Sequence, residues 1–191
     1  EEGQALYLST NVIGCKTFID YLKNNSDPRL NTLFTAPSAG HKGAFFGDFD
    51  SKFDTDKNGT TDDKEVYSKA LFTATTDLIL MSMWEIDFYI AEVYARAGDH
   101  VKAKQYYEAG VAESLKQHGI TSSSILTSGY AQWVDGNLEA ELKQISMQKW
   151  VANANYQHIE SFLERNRLKY PSVNDIDIKL DRNGEIGRAH V

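Results

Sequence analysis

Apolar residues recur at helical spacing in several stretches of the chain and cluster differently elsewhere. Val12, Ile13, Phe18, Ile19 and Leu22 fit one face of a helix after Asn11 as a candidate cap. Asp27-Pro28 then turns the chain. A helical pattern resumes near Val66, is ambiguous through the Thr-rich residues 73–76, and is strong from Met83 to Ala97. It stops at Gly98, restarts after Asp99 as N-cap, and runs to about Gln117, where His118-Gly119 ends it. A last helical run spans about Leu138 to Leu168, with a break expected near Asn153–Asn155. Tyr170-Pro171 closes it, because the residue before proline is driven out of the helical region. Trp84 and Trp150 fall on helical patterns and are expected in the core. The tail, residues 172–191, is polar with weak alternation at Ile176, Ile178 and Leu180. The expectation is a mainly α fold with long loops. Strong strand runs are missing, so a parallel α/β sheet is not supported.

Two loops interrupt this pattern. Residues 35–65 are rich in Gly and Asp and carry Phe45, Phe46, Phe49 and Phe53; residues 120–136 are rich in Ser and Gly and carry Tyr130 and Trp133. A loop as long as the first usually has a function. The chain of 191 residues is read as a single domain over 1–191. No apolar stretch of about 18 residues exists, which rules out a membrane-spanning helix.

Charge sharpens the picture. The net charge is −7, and the window from Asp48 to Glu65 holds seven acids against three lysines. A nucleic-acid binder that works by neutralising phosphates needs the opposite bias. Concentrated carboxylate oxygens point to a cation. Cys15 stands alone, so no intrachain disulfide can form, and it is expected as a small buried residue on the first helix.

Residues 54–65 read Asp-Thr-Asp-Lys-Asn-Gly-Thr-Thr-Asp-Asp-Lys-Glu and match the calcium pattern D-x-[DN]-x-[DN]-G-x5-E at every specified position. Asp54, Asp56 and Asn58 alternate along a tightly curving loop, so their oxygens converge. Gly59 permits the turn, Thr60 offers its carbonyl, Asp62 acts through water, and Glu65 closes the shell bidentately. Thr61 replaces the aliphatic residue usual in paired EF-hands, and Gly43 to Phe53 makes a poor entering helix. The motif therefore reads as an isolated, structural calcium loop. The plainer reading is an acidic solvated loop.

From Ile90 to Val111 the chain is similar to a tetratricopeptide repeat, with Ala91 and Tyr94 on the first helix, Gly98-Asp99 at the turn, and Ala103, Tyr107 and Gly110 on the second. Small residues at 91, 103 and 110 let two helices approach closely. Four further pieces come in order: Asp27-Pro28-Arg29-Leu30, the Ile86–Gly110 hairpin with Ala91-Glu92, Gln148-Lys149-Trp150, and Glu164-Arg165-Asn166-Arg167 before Tyr170-Pro171. Together they resemble the SusD/RagB family of outer-membrane lipoproteins. That resemblance implies a SusD-like helical fold with tetratricopeptide-like hairpins, a surface-exposed place at the outer membrane, and capture of glycans or other nutrients for a SusC-like TonB-dependent transporter. Family members are usually more than twice as long and carry a lipid-anchor cysteine; Cys15 is not in such a setting, and the chain resembles an internal to C-terminal portion. Membrane attachment is expected only through a lipid anchor absent from this chain. The family more often has a double Arg followed by Thr-Gly, whereas here Asn166 splits Arg165 and Arg167, which bears on the local turn.

Glycan binders present aromatic faces to sugar C–H groups, with polar groups for the hydroxyls. On loop placement, Phe45, Phe46, Phe49, Phe53, Tyr130 and Trp133 are the ligand-contact candidates; packing beneath their own loops is the alternative. No catalytic residue is assigned. The five histidines lack metalloprotease spacing, and nucleophile-elbow and phosphate-loop motifs are absent. The expectation is a non-enzymatic glycan- or nutrient-binding protein with calcium as its cofactor and no nucleic-acid partner. The alternative is a tetratricopeptide-type protein-binding scaffold without sugar affinity.

Overall fold

Seven helices carry the described part of the chain, residues 12–44, 67–72 and 75–172 of the computed structural model. They are α1 (Lys16–Asn24), α2 (Leu30–Leu33), α3 (Met83–Arg96), α4 (His100–Gln117), α5 (Ser124–Thr127), α6 (Leu138–Ala152) and α7 (His158–Leu168). No strand occurs among the described residues, so the mainly α expectation holds. The chain divides into two compact units, Glu1–Thr76 with Asn174–Val191 and Asp77–Val173, where the sequence reading has one domain. Residues 75–78, at the division, bury no side chain.

In the first unit, α1 begins at Lys16 and not near Val12. The reason is competition for backbone groups. Gly14 N–H donates to Ser68 O (2.8 Å), Ala70 N–H to Val12 O (3.0 Å) and Ala44 N–H to Gly14 O (2.9 Å). Residues committed to such pairing cannot also open a helix. Cys15 is therefore the half-buried N-cap residue of α1, bridged to Ala44, and not an interior helical residue. The helical pattern expected from Val66 likewise yields to pairing, with Lys69 opposite Ile13 and Ala70 opposite Phe34. Gly43 is required here, since a Cβ at that position would lie 2.5 Å from Lys16 Cα. Phe18, Ile19 and Leu22 of α1 are buried, and Phe18 meets Phe34 edge-on at 5.8 Å.

In the second unit, each long helix up to α6 starts on a side-chain cap. Ser82 Oγ accepts from Glu85 N–H (3.2 Å), Asp99 Oδ1 from Lys102 N–H (3.1 Å) and Asn137 Oδ1 from Ala140 N–H (2.9 Å). Helices α3 and α4 form the expected hairpin. Ala91, Ala95 and Ala103 are buried, and a Cβ on Gly110 would come within 3.0 Å of the Phe88 ring, so the glycine sets the closeness of the two helices. Phe88, Tyr107, Val111 and Ile145 lie in one core cluster that α6 completes. Each such side chain contributes about 1.5–3 kcal/mol on burial.

The expected interruption of the last helical run lies between α6 and α7. Trp84, buried as expected, donates its indole N–H to Asn153 Oδ1 at 3.0 Å. Asn155 then adopts φ 66°, a left-handed conformation that Asn tolerates. Trp150 is half-buried. Helix α7 ends on Lys169, also left-handed at φ 66°. A glycine is usual in that position, and a side chain there costs about 1–2 kcal/mol. Lys169→Gly is expected to stabilise the protein by about 1 kcal/mol, read from urea unfolding; a loss of stability would mean that the Lys169 Nζ bond to Asn166 O outweighs the backbone cost.

Candidate functional site

The calcium-loop residues Asp54, Asp56, Asn58, Thr60, Asp62 and Glu65, and the aromatics Phe45, Phe46, Phe49 and Phe53, lie outside the described residues. The chain on either side of them is described, and its two ends are joined. Ser68 N–H donates to Lys42 O (2.8 Å), while Lys42 N–H donates back to Ser68 Oγ (3.1 Å). His41 reinforces this base, with Nδ1 3.2 Å from Ser68 Oγ and Nε2 2.8 Å from Asn31 Oδ1. Burial first, and then the charge of Lys23, holds the His41 imidazole below its ordinary pKa.

The second loop is fully described, and of its two aromatics only Trp133 turns fully inward. Tyr130 is half-buried against the core cluster. Trp133 is 7% exposed, and its ring lies 5.0 Å from Tyr107. It is a core residue and offers no open face for a sugar. The cause is the tethering of the loop: Tyr107 Oη donates to Ala131 O (2.8 Å), while Gln144 of α6 donates to Gln132 O (2.5 Å) and accepts from Val134 N–H (3.1 Å). The indole N–H of Trp133 donates to Asp135 Oδ1 at 2.9 Å.

Asp135 and Gly136 form one wall of an open depression of about 600 Å³; His100, Val101 and Lys104, in the first turns of α4, form the other. His100 Nδ1 is 2.7 Å from Oε1 of Glu141, which is fully buried in the first turn of α6. A carboxylate there lies at the positive end of that helix's dipole. Its Oε2 has no hydrogen-bond partner among the described residues. His100, Lys104 and Asp135 were not among the sequence candidates. The only sequence signal was their nearness to the Asp99 cap and to the end of the second loop.

The ordered sequence landmarks supply ion pairs, some fully buried and some with one partner half exposed. Asp27 and Arg29 are both fully buried, with Arg29 Nη2 2.6 Å from Asp27 Oδ2 and Nε 3.0 Å from Oδ1. In the second unit, Glu92 of α3 receives both Arg96 and Arg167, and Arg167 also bonds Glu164 at 2.5 Å. Glu164 then pairs with Lys149 of α6 at 3.2 Å. Lys149 Nζ lies 3.4 Å from the centre of the Tyr89 ring and 3.9 Å from Glu85. Gln157 finishes the chain, donating to Glu85 Oε2 (2.7 Å) and accepting from Ser82 Oγ (2.8 Å). Burial raises the Glu92 carboxyl, but the hydrogen bonds of Arg167 and Arg96 outweigh it and hold the group below its ordinary range. Among the described residues, no three His, Cys, Asp or Glu side chains are grouped to hold a metal ion.

The second unit is thus a helical frame tied by ion pairs among α3, α6 and α7. The sequence matches the family model for SusD-like proteins, described as starch-binding and associating with the outer membrane, over residues 7–189; the protein belongs to that family. The family is one of binding proteins without catalysis, and membership places the protein at the outer membrane. No curated protein matches the chain.

Lys149 is the junction of the network, 2% exposed at its side chain. Removing one partner of a buried pair leaves the others uncompensated. Lys149→Ala should cost about 3–5 kcal/mol in chemical denaturation, against about 0.5 kcal/mol or less for the exposed Lys116→Ala. Equal effects would show that the network adds nothing to stability.

Proposed function

We propose that the protein is a non-enzymatic glycan- or nutrient-binding component of a TonB-dependent outer-membrane uptake system. The observation that carries this reading is the family match across residues 7–189. In it, the frame holds shape and the loops meet the ligand. Phe45, Phe46, Phe49 and Tyr130 are the proposed aromatic contacts, with a SusC-like transporter as the protein partner. Asp54, Asp56, Asn58, Thr60, Asp62 and Glu65 would hold a structural calcium ion, stiffening a loop whose base is already closed by Lys42 and Ser68.

A second reading, a tetratricopeptide-type scaffold for protein partners without sugar affinity, is favoured by one feature. Ile159, Phe162 and Leu163 of α7 point outward, with exposures of 70%, 61% and 59%. Exposed apolar clusters of this kind mark contact surfaces.

Calorimetry of the protein against a panel including soluble starch fragments is expected to give saturable binding. No heat with any glycan, and no TonB-dependent transporter recovered with the protein from outer-membrane extracts, would sink the first reading. For the metal, chelation is expected to lower the melting temperature and added calcium to restore it, an effect lost in Asp54→Asn combined with Asp56→Asn. Melting curves that ignore saturating calcium would remove the metal from the proposal.

A further inference from the structure

The depression at the start of α4 is fixed from below and uncommitted above. Asp135 has one carboxylate oxygen held by the Trp133 indole N–H at 2.9 Å, and its other oxygen has no partner among the described residues. His100 has Nδ1 held by the buried Glu141 carboxylate at 2.7 Å, which leaves Nε2 uncommitted. Lys104 is only loosely paired, with Nζ 3.9 Å from Glu108, and its side chain is half exposed. Thus a carboxylate, an imidazole and an ammonium share one concavity, each with a free atom. Two of the three are anchored by side chains that are themselves buried. Val101, 80% exposed, adds an apolar wall.

Charge decides which ligand fits. An anion would meet Lys104 but also the carboxylate of Asp135. An organic cation would meet Asp135 but also Lys104. A metal ion finds no group of three suitable ligands among the described residues. A hydroxyl both donates and accepts, and two adjacent hydroxyls satisfy a carboxylate oxygen and an ammonium together. With Nδ1 engaged by Glu141, Nε2 of His100 is left for a third hydroxyl, which can both donate and accept. We propose that this depression is a saccharide site for a neutral sugar presenting adjacent free hydroxyls, contacted by Asp135, Lys104 and His100, with Glu141 and Trp133 as positioning residues. The inference rests on the glycan-binding reading above and adds to it a place and a ligand class. Among the described residues, no aromatic ring lines the depression. Binding of a single sugar unit is therefore weak, on the order of millimolar, and gains from repetition along a chain.

The test uses the full chain and maltoheptaose, with a tri-galacturonate as the acidic control, followed by calorimetry and by NMR of the His100 and Lys104 side chains. Maltoheptaose is expected to shift both signals. Asp135→Asn, which keeps an acceptor for Trp133, and Lys104→Met are each expected to weaken binding about tenfold with unchanged circular dichroism, as for the loss of one charge-assisted hydrogen bond. Glu141→Gln is expected to weaken binding and broaden the His100 signals, whereas a purely structural role would lower stability without changing them. Undiminished binding in Asp135→Asn and Lys104→Met overturns the site while leaving the glycan reading intact. Stronger binding of tri-galacturonate than of maltoheptaose overturns the ligand class. Absence of binding to either oligosaccharide, or to any other glycan, removes both the inference and the reading beneath it.

Discussion

The second unit depends on a constraint of electrostatics: a charge taken out of water must meet an opposite charge at close range. Helix α7 makes this plain. Its one buried residue is Glu164, and its apolar Ile159, Phe162 and Leu163 face outward. Burial of hydrocarbon cannot be what seats this helix. It is seated by Glu164 on Lys149 of α6 and by Arg167 on Glu92 of α3, an ion pair to each neighbour. Such pairs give little net stability over an apolar substitute, because desolvation offsets most of the attraction. They are demanding in geometry, however, since any displacement leaves a buried charge without a partner. They therefore fix where α7 lies more firmly than they stabilise it.

That distinction explains which parts of the fold were legible in the sequence. The α3–α4 hairpin, the Asp99 cap, the break near Asn153 and the burial of Trp84 all follow from local rules of spacing, capping and helix breaking. Those rules act within a few residues. The first turn of α1 was misplaced because pairing with residues 44 and 68–70 claimed its backbone, and that competition is not local. The packing of α7 was illegible because periodicity assigns polar residues to solvent, while here a glutamate is the inward face. The ordered motifs were recognisable as a pattern, but their work as ion pairs required the fold to bring residues 85, 92, 149, 164 and 167 together.

The course of the second loop was less legible still. Trp133 attracted attention as a large aromatic on a loop, and its actual place is beneath the loop, holding Asp135. The atoms left open to solvent belong to a histidine, a lysine and an aspartate of unremarkable spacing. Sequence reasoning weights aromatic residues for sugar contact, and that weighting fails when tethers such as Gln144 and Tyr107 draw the loop onto the core. The charged residues then inherit the surface.

A division of labour follows between frame and loops. Asp27, Arg29, Glu92, Lys149 and Glu164, all from the landmarks, are buried in ion pairs and so constrain shape, while Arg167, which joins them, is 43% exposed. Family membership is thus strong evidence for the frame and weak evidence for ligand identity. The proposed ligand contacts fall outside the landmark pattern: the first loop, whose base Lys42 and Ser68 close, and side chains such as Asp135 and His100. The rigidity of the frame makes this arrangement workable. Because Glu141 and Gln144 belong to α6, and α6 is locked to α3 and α7 through Lys149, the positions of His100 and of the 129–136 loop are set by the same ionic network. A substitution in the network would disturb the depression without touching it.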